Sequence, residues 1–253
     1  MIKLLDRETL QVMATALAVA VFFLLPAVQE NFIGYIAYRG LSIGDVLFHE
    51  MGHALFYWLF GTPAIPSILT AIGSDMAGGF TMELGGRSLL VQALALAGLV
   101  YGAYRLREDH PILCAVVVAL VVVVIALSFT RYPPVVISYM GHGSAIVAGG
   151  VLLYRAWLNI IVRTGFERWC NALFGFFIVL NNAQFAYKLL YVPEFRTRYE
   201  EAPVAMDFVA IADRLLQVQV NHIAWFTLAC CGVALVASVA LASYFYEDVR
   251  YAD

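Results

Sequence analysis

The sequence predicts an all-α integral membrane protein: a bundle of about six to seven transmembrane helices with a short re-entrant β-hairpin after one of them. Three observations predict it. The 253 residues are 62% hydrophobic and only 13% charged, with a mean hydropathy of +0.82, whereas a soluble domain carries about 25% charged residues. Several apolar runs approach the roughly 20 residues that cross a bilayer as a helix. Residues 62–87 break that pattern with Pro63, Pro66, Gly78, Gly79, Gly85 and Gly86, and Gly79-Phe80-Thr81-Met82-Glu83-Leu84 alternates as a short strand does. This region is either the re-entrant hairpin or a plain extramembrane loop. Neither an internal repeat nor a second domain is legible, so residues 1–253 read as a single polytopic membrane domain.

Lys3 and Arg7 precede an uncharged run from Thr9 to Val28, the pattern of a signal anchor rather than of a cleaved signal peptide. Pro26 near its end is expected as a tolerated kink. Ser42 then offers an N-cap with Asp45 three residues on, a capping-box-like pair. Gly61-Thr62-Pro63 offers a stop, so a helix is expected over about 42–60. Further spans are expected at Ser88–Leu106, Pro111–Phe129, Ile137–Ile161, Phe166–Tyr191 and Asn221–Tyr246. The third of these is expected to break at Gly141-His142-Gly143-Ser144. Residues 192–205 read as a charged linker and Met206–Val218 as a short amphipathic helix.

Charge and cysteine usage exclude several functions. A net charge of −3 and a pI near 5.9 leave no basic footprint, so nucleic acid is excluded as a partner. Cys114, Cys170, Cys230 and Cys231 all lie in apolar runs without a C-x-x-C pair. They read as small buried hydrophobes, with no disulfide framework.

The chemistry is concentrated in Phe48-His49-Glu50-Met51-Gly52-His53-Ala54-Leu55-Phe56, an H-E-x-x-H sequence inside an apolar run. On a helix, His49 and His53 share one face, one above the other. Two imidazoles so placed can hold one Zn2+, and Glu50 can take the proton of a water held there. With five histidines in the chain, composition alone gives about 0.004 such matches. Zinc also requires a third protein ligand. Asp207 is the first candidate and His142 the second, with His222 and Asp45 weaker. Asp45, one turn before His49, is alternatively placed to orient the His49 ring. Asn181, Asn182 and Gln184 are costly amides in an apolar span. They read first as interhelical hydrogen-bonding groups, with Asn181 and Asn182 as candidate contacts to substrate or an oxyanion in the second reading. Gly79, Phe80 and Thr81 are candidate contacts to an extended substrate paired on the strand edge.

An H-E-x-x-H helix in a polytopic membrane protein resembles the site-2 protease group of intramembrane zinc metallopeptidases, in particular its small, divergent bacterial members. The residues that carry the resemblance are Leu47 to Leu55 and then Gly78-Gly79-Phe80-Thr81, within residues 42–87. The resemblance implies that His49 and His53 are zinc ligands, that Glu50 is the catalytic base, and that the third ligand is an Asp in a later segment. In that group the Asp usually sits in an N-P-x-P-x-x-x-D-G-like context, which this chain lacks; Asp207 is the candidate counterpart. The resemblance also implies a bacterial inner-membrane protein that cleaves a membrane-spanning or membrane-associated protein. No PDZ-like module is present to select substrates. Two rival readings are a non-catalytic protease-like scaffold within a larger membrane protein complex, and a transporter with a buried His/Glu ion site. The second needs an inverted repeat of broken helices, which the sequence does not contain.

Overall fold

The computed structural model describes residues 6–69, 78–108, 111–160, 164–202 and 206–250; Lys3 lies outside them. Among the described residues, six helices are long and apolar enough to cross a membrane: α1 (Arg7–Leu24), α4 (Leu89–Leu106), α5 (Pro111–Ser128), α6 (Pro133–Leu158), α7 (Gly165–Tyr191) and α10 (Val220–Arg250, its span ending at Phe245). The chain is an integral membrane protein. A two-stranded antiparallel hairpin, β1 (Ala64–Leu69) and β2 (Gly78–Glu83), interrupts the helices, with Ala64 opposite Glu83 and Leu69 opposite Gly78.

The motif helix differs from its expected bounds. α3 runs Phe32–Leu59, 28 residues, and is capped by Asn31, whose side chain accepts from the Ile33 N–H. Ser42 and Asp45 are therefore interior to the helix, and both are buried. The capping-box pattern fails because nothing in Tyr38-Arg39-Gly40-Leu41 stops a helix that begins ten residues earlier. At about 1.5 Å per residue α3 is roughly 42 Å long, but it falls outside the set of six apolar spans: its polar motif residues need protein rather than lipid around them. The expected stop is present. Gly61 adopts φ +90°, the Thr62 N–H reaches the Tyr57 carbonyl at 2.8 Å and the Gly61 N–H reaches Trp58 at 3.0 Å. Two of the carbonyls orphaned at the helix end are satisfied this way.

Pro26 ends α1 rather than kinking it, and a four-residue α2 (Pro26–Gln29) follows. The break is met by side chains. Gln29 Nε2 donates to the Phe23 carbonyl at 3.1 Å, and Gln184 Nε2 donates from α7 to the Leu24 carbonyl at 3.1 Å. Gln184 therefore serves the fold of α1. The break expected at Gly141–Ser144 does not occur, and α6 is continuous from Pro133 to Leu158. Its glycines admit neighbours: a Cβ at Gly149 would lie 2.8 Å from Val179 Cγ2 of α7. The segment after α7 is more ordered than a linker. α8 (Pro193–Glu200) occupies it, then a single turn, α9 (Asp207–Val209), runs into a π-helical stretch at Ala210–Leu216.

α7 is the centre of the bundle. Half of its span is buried, against 11–28% for the others. α1, α3, α6 and α7 share one core around Leu153, Ala172 and Phe177, while α7, the 207–216 segment and α10 share another around Leu189, Phe208 and Ile211. α4 and α5 pack on Phe56, Leu59 and Phe60 at the end of α3. α3 also crosses α6 at close range. A Cβ at Gly52 would overlap the Ser144 hydroxyl and the Met140 carbonyl, and Ser144 Oγ donates across the gap to the Phe48 carbonyl at 2.8 Å. Gly52→Val is expected to destabilise the protein by about 1–3 kcal/mol through overpacking. The change is read as a lower melting temperature in detergent with helical content retained before the transition.

Candidate metal centre

α3 presents His49 and His53 one turn apart toward α6. His53 Nδ1 donates to the Ile137 carbonyl of α6 at 2.7 Å. A carbonyl can only accept, so the neutral His53 ring carries its free lone pair on Nε2. That atom lies 3.0 Å from His49 Nε2 and 3.2 Å from Asp207 Oδ2, and His49 Nε2 lies 3.0 Å from the same oxygen. Three electron-rich atoms therefore converge on one point from residues up to 158 positions apart in the chain. A carboxylate oxygen and an imidazole lone pair have no reason to meet unless a proton or cation lies between them. The donor set fits zinc: one carboxylate oxygen and two imidazole nitrogens, 3.0–3.2 Å apart, would hold such an ion together.

Room for such an ion comes from Gly141. A Cβ there would collide with His53 Nε2 and lie 2.6 Å from His49 Nε2. The site is shielded but reachable: the side chains of His49, His53 and Asp207 are 20%, 9% and 26% exposed.

Asp207 is the first residue of α9, and the N-cap is Met206, so its carboxylate is not spent on capping. The Phe208 N–H, one of the free donors of that turn, is taken instead by Tyr199 Oη of α8 at 3.2 Å. Burial pushes the Tyr199 phenol well above its ordinary range, which keeps it protonated. Burial also works to raise the Asp207 carboxyl, but hydrogen bonds and charge from His49 and His53 hold it well below the usual carboxylate range. It is ionised, as a ligand must be.

Glu50 is 95% buried, at 5% exposure, and its partners come from the hairpin. Thr81 Oγ1 lies 2.8 Å from Glu50 Oε2 and 3.1 Å from the Glu50 carbonyl. A Cβ at Gly79 would lie 2.6 Å from Glu50 Oε1 and closer still to its Cγ. Gly79 and Thr81 thus meet the acid directly, while Phe80, the residue between them, is 45% exposed. Of the two amides, Asn181 Nδ2 donates to Asp45 Oδ2 at 2.6 Å and Asn182 Nδ2 to Asp45 Oδ1 at 3.1 Å. These are interhelical bonds, and they turn Asp45 toward α7. His142 stands against the His49 ring, centroids 4.6 Å apart at 90°, and a ring nitrogen of His142 falls in a set with donors of His49 and Asp207 that all lie within 4.8 Å of one another. His222 is exposed, with its Nδ1 on the Gln219 carbonyl at 3.3 Å. Sequence spacing missed Gly141 and the Ile137 carbonyl. The Gly141-His142-Gly143 cluster was their only signal.

Gly141→Ala is expected to abolish tight zinc binding, from about one ion per chain to under about a tenth of that, while the helical spectrum stays that of wild type. Metal analysis after gel filtration in detergent reads it. No family model matches the chain, nor does any curated protein or solved structure, and the functional reading rests on the geometry of these residues.

Proposed function

We propose that the protein is an intramembrane zinc metalloprotease, similar to the site-2 protease group, that hydrolyses a peptide bond of a membrane-associated protein. One observation carries this reading: His49 Nε2, His53 Nε2 and Asp207 Oδ2 form a triangle with edges of 3.0, 3.2 and 3.0 Å, with Glu50 on the same helical turn as the two histidines. Bound there, zinc would supply Lewis acidity, lowering the pKa of water toward neutrality and stabilising charge on the attacked carbonyl.

The remaining work falls to side chains. His49, His53 and Asp207 hold and orient the site. Glu50 takes the proton from the attacking water and passes it to the departing amine. Thr81 fixes which Glu50 oxygen is free to do so, since Oε2 already accepts the Thr81 hydroxyl at 2.8 Å. Gly79 lets β2 lie flush on the carboxylate. A two-stranded hairpin also has unpaired edges, and an extended peptide pairing with one of them would bring its backbone alongside Glu50. Phe80 and Met82, 45% and 46% exposed, give that surface apolar contacts for a substrate drawn from the bilayer.

The test uses purified protein in proteoliposomes supplied with a mixture of single-span peptides. Glu50→Gln is expected to keep about one zinc per chain and lose about 10²–10⁴-fold in cleavage rate. Thr81→Val is expected to keep the metal and lose about 10- to 100-fold through misorientation of the base. Asp207→Ala is expected to lose both metal and cleavage. Zinc-free wild type would overturn the reading. Undiminished cleavage by Glu50→Gln would remove Glu50 as the base, and zinc-loaded wild type that cleaves nothing would favour the scaffold.

A further inference from the structure

His142 has no part in the reaction just described, yet its surroundings are those of a metal ligand. Its Nδ1 lies 2.7 Å from Asn182 Oδ1. The Asn182 amide nitrogen is already committed, donating to Asp45 Oδ1 at 3.1 Å and to the Ile178 carbonyl at 2.9 Å. Asn182 Oδ1 can therefore only accept, His142 Nδ1 must carry the proton, and the neutral ring keeps its lone pair on Nε2.

This is the arrangement seen at His53, whose Nδ1 is spent on the Ile137 carbonyl at 2.7 Å. Metal-bound histidines almost always donate their other ring N–H to an oxygen in this way. At His142 the accepting oxygen is itself braced, because Asp45 holds Asn182 and is held in turn by Asn181 at 2.6 Å. Aromatic walls fix the ring plane: Phe185 stacks on it at 4.9 Å and 15°, and Phe208 leans on it at 4.8 Å. A ring nitrogen of His142 is within 4.8 Å of donors of both His49 and Asp207. Nδ1 is taken, so Nε2 is the atom His142 has to offer.

We infer that His142 is a fourth protein donor to the ion held by His49, His53 and Asp207, so that the resting site is closed by side chains. The inference rests on the zinc reading above and adds a regulatory consequence to it. A four-ligand protein site is closed, and hydrolytic sites keep one position open. Donors about 2.0–2.1 Å from a shared ion sit roughly 3.3 Å apart, so His142 closes on the other donors when the ion is bound. Substrate must displace it before water can enter. The chain Asp45–Asn182–His142 links that displacement to the packing of α3, α6 and α7.

X-ray absorption of the zinc-loaded protein in detergent counts imidazoles directly. Wild type is expected to show about three per zinc. His142→Phe, which suits the aromatic slot, is expected to show about two, with about one zinc per chain retained and an affinity about tenfold lower. In the cobalt-loaded forms, acetohydroxamate is expected to shift the visible spectrum of His142→Phe at about tenfold lower concentration than wild type. Two imidazoles in wild type, or identical hydroxamate titrations, would overturn the inference and leave the zinc reading standing. Metal-free wild type would overturn both. Should His142→Phe fail to fold, the imidazole count of wild type decides alone.

Discussion

The crossing of α3 and α6 at two glycines is the constraint on which the rest of the structure depends. At Gly52 there is no space for a Cβ beside the Ser144 hydroxyl and the Met140 carbonyl, and at Gly141 there is none beside the His49 and His53 nitrogens. Helices in a bilayer gain little from hiding apolar surface from one another, since lipid is equally apolar. They associate through close packing and interhelical hydrogen bonds. Here the closeness does chemical work. It brings the Ile137 carbonyl to His53 Nδ1 at 2.7 Å, which fixes the tautomer and aims the lone pair inward. A wider crossing would leave two histidines on an apolar helix with nothing to orient them.

The polar interior is tolerated because it is closed on itself. Asp45 accepts from Asn181 and Asn182, Asn182 accepts from His142, and His142 meets His49 edge to face. Each group would be costly alone in apolar surroundings. Asp207 enters this interior from a segment that is not a span, on a helical turn whose free Phe208 N–H is met by Tyr199. The π-helical stretch that follows, Ala210–Leu216, ends at Gln217 with φ 55°. Within a bilayer such irregular backbone is stable only where protein packs around it, and Phe208, Ile211 and Ala212 are almost fully buried.

How much of this was legible in the sequence depends on the range over which each feature is determined. The motif is local: the i, i+4 spacing of His49 and His53 sets their shared face whatever surrounds them, and Gly61 terminates the helix by its own conformation. The apolar spans are legible for the same reason, and their bounds differ by few residues. The start of α3 was not legible. Ser42 and Asp45 mimic a cap, but their neighbours propagate a helix and tertiary burial overrides the signal. Gly141-His142-Gly143 mimics a break, whereas in a packed membrane helix glycine marks a close neighbour. Asp207 could be reached only as one candidate among several, because nothing local distinguishes it. Its meeting with His49, 158 positions away, is a property of the bundle. Thr81 was legible as a strand residue near the motif, but its bond to Glu50 was not.

The elements that hold the metal donors are distinct from those that hold the acid, although His49, Glu50 and His53 lie on one helical turn. His53 is fixed by α6, His49 meets Asp207 of α9, and Glu50 is fixed by β2 through Thr81 and Gly79. The hairpin packs on α3 by one side and joins the bundle through the short stretches around residues 60–63 and 84–88, where Ser88 N–H bonds to Gly61 and Leu84 N–H to Pro63, each at 2.8 Å. The Glu50 carboxylate is thus oriented by the hairpin, and the donor atoms of His53 and His49 by α6 and α9. On the proposed reading, such a division allows the protein to keep its ion while its base is out of register. A peptide that pairs with the hairpin edge is then the agent that sets the base, and the release of His142 from the ion is a separate step that reaches α6 and α7 through Asn182.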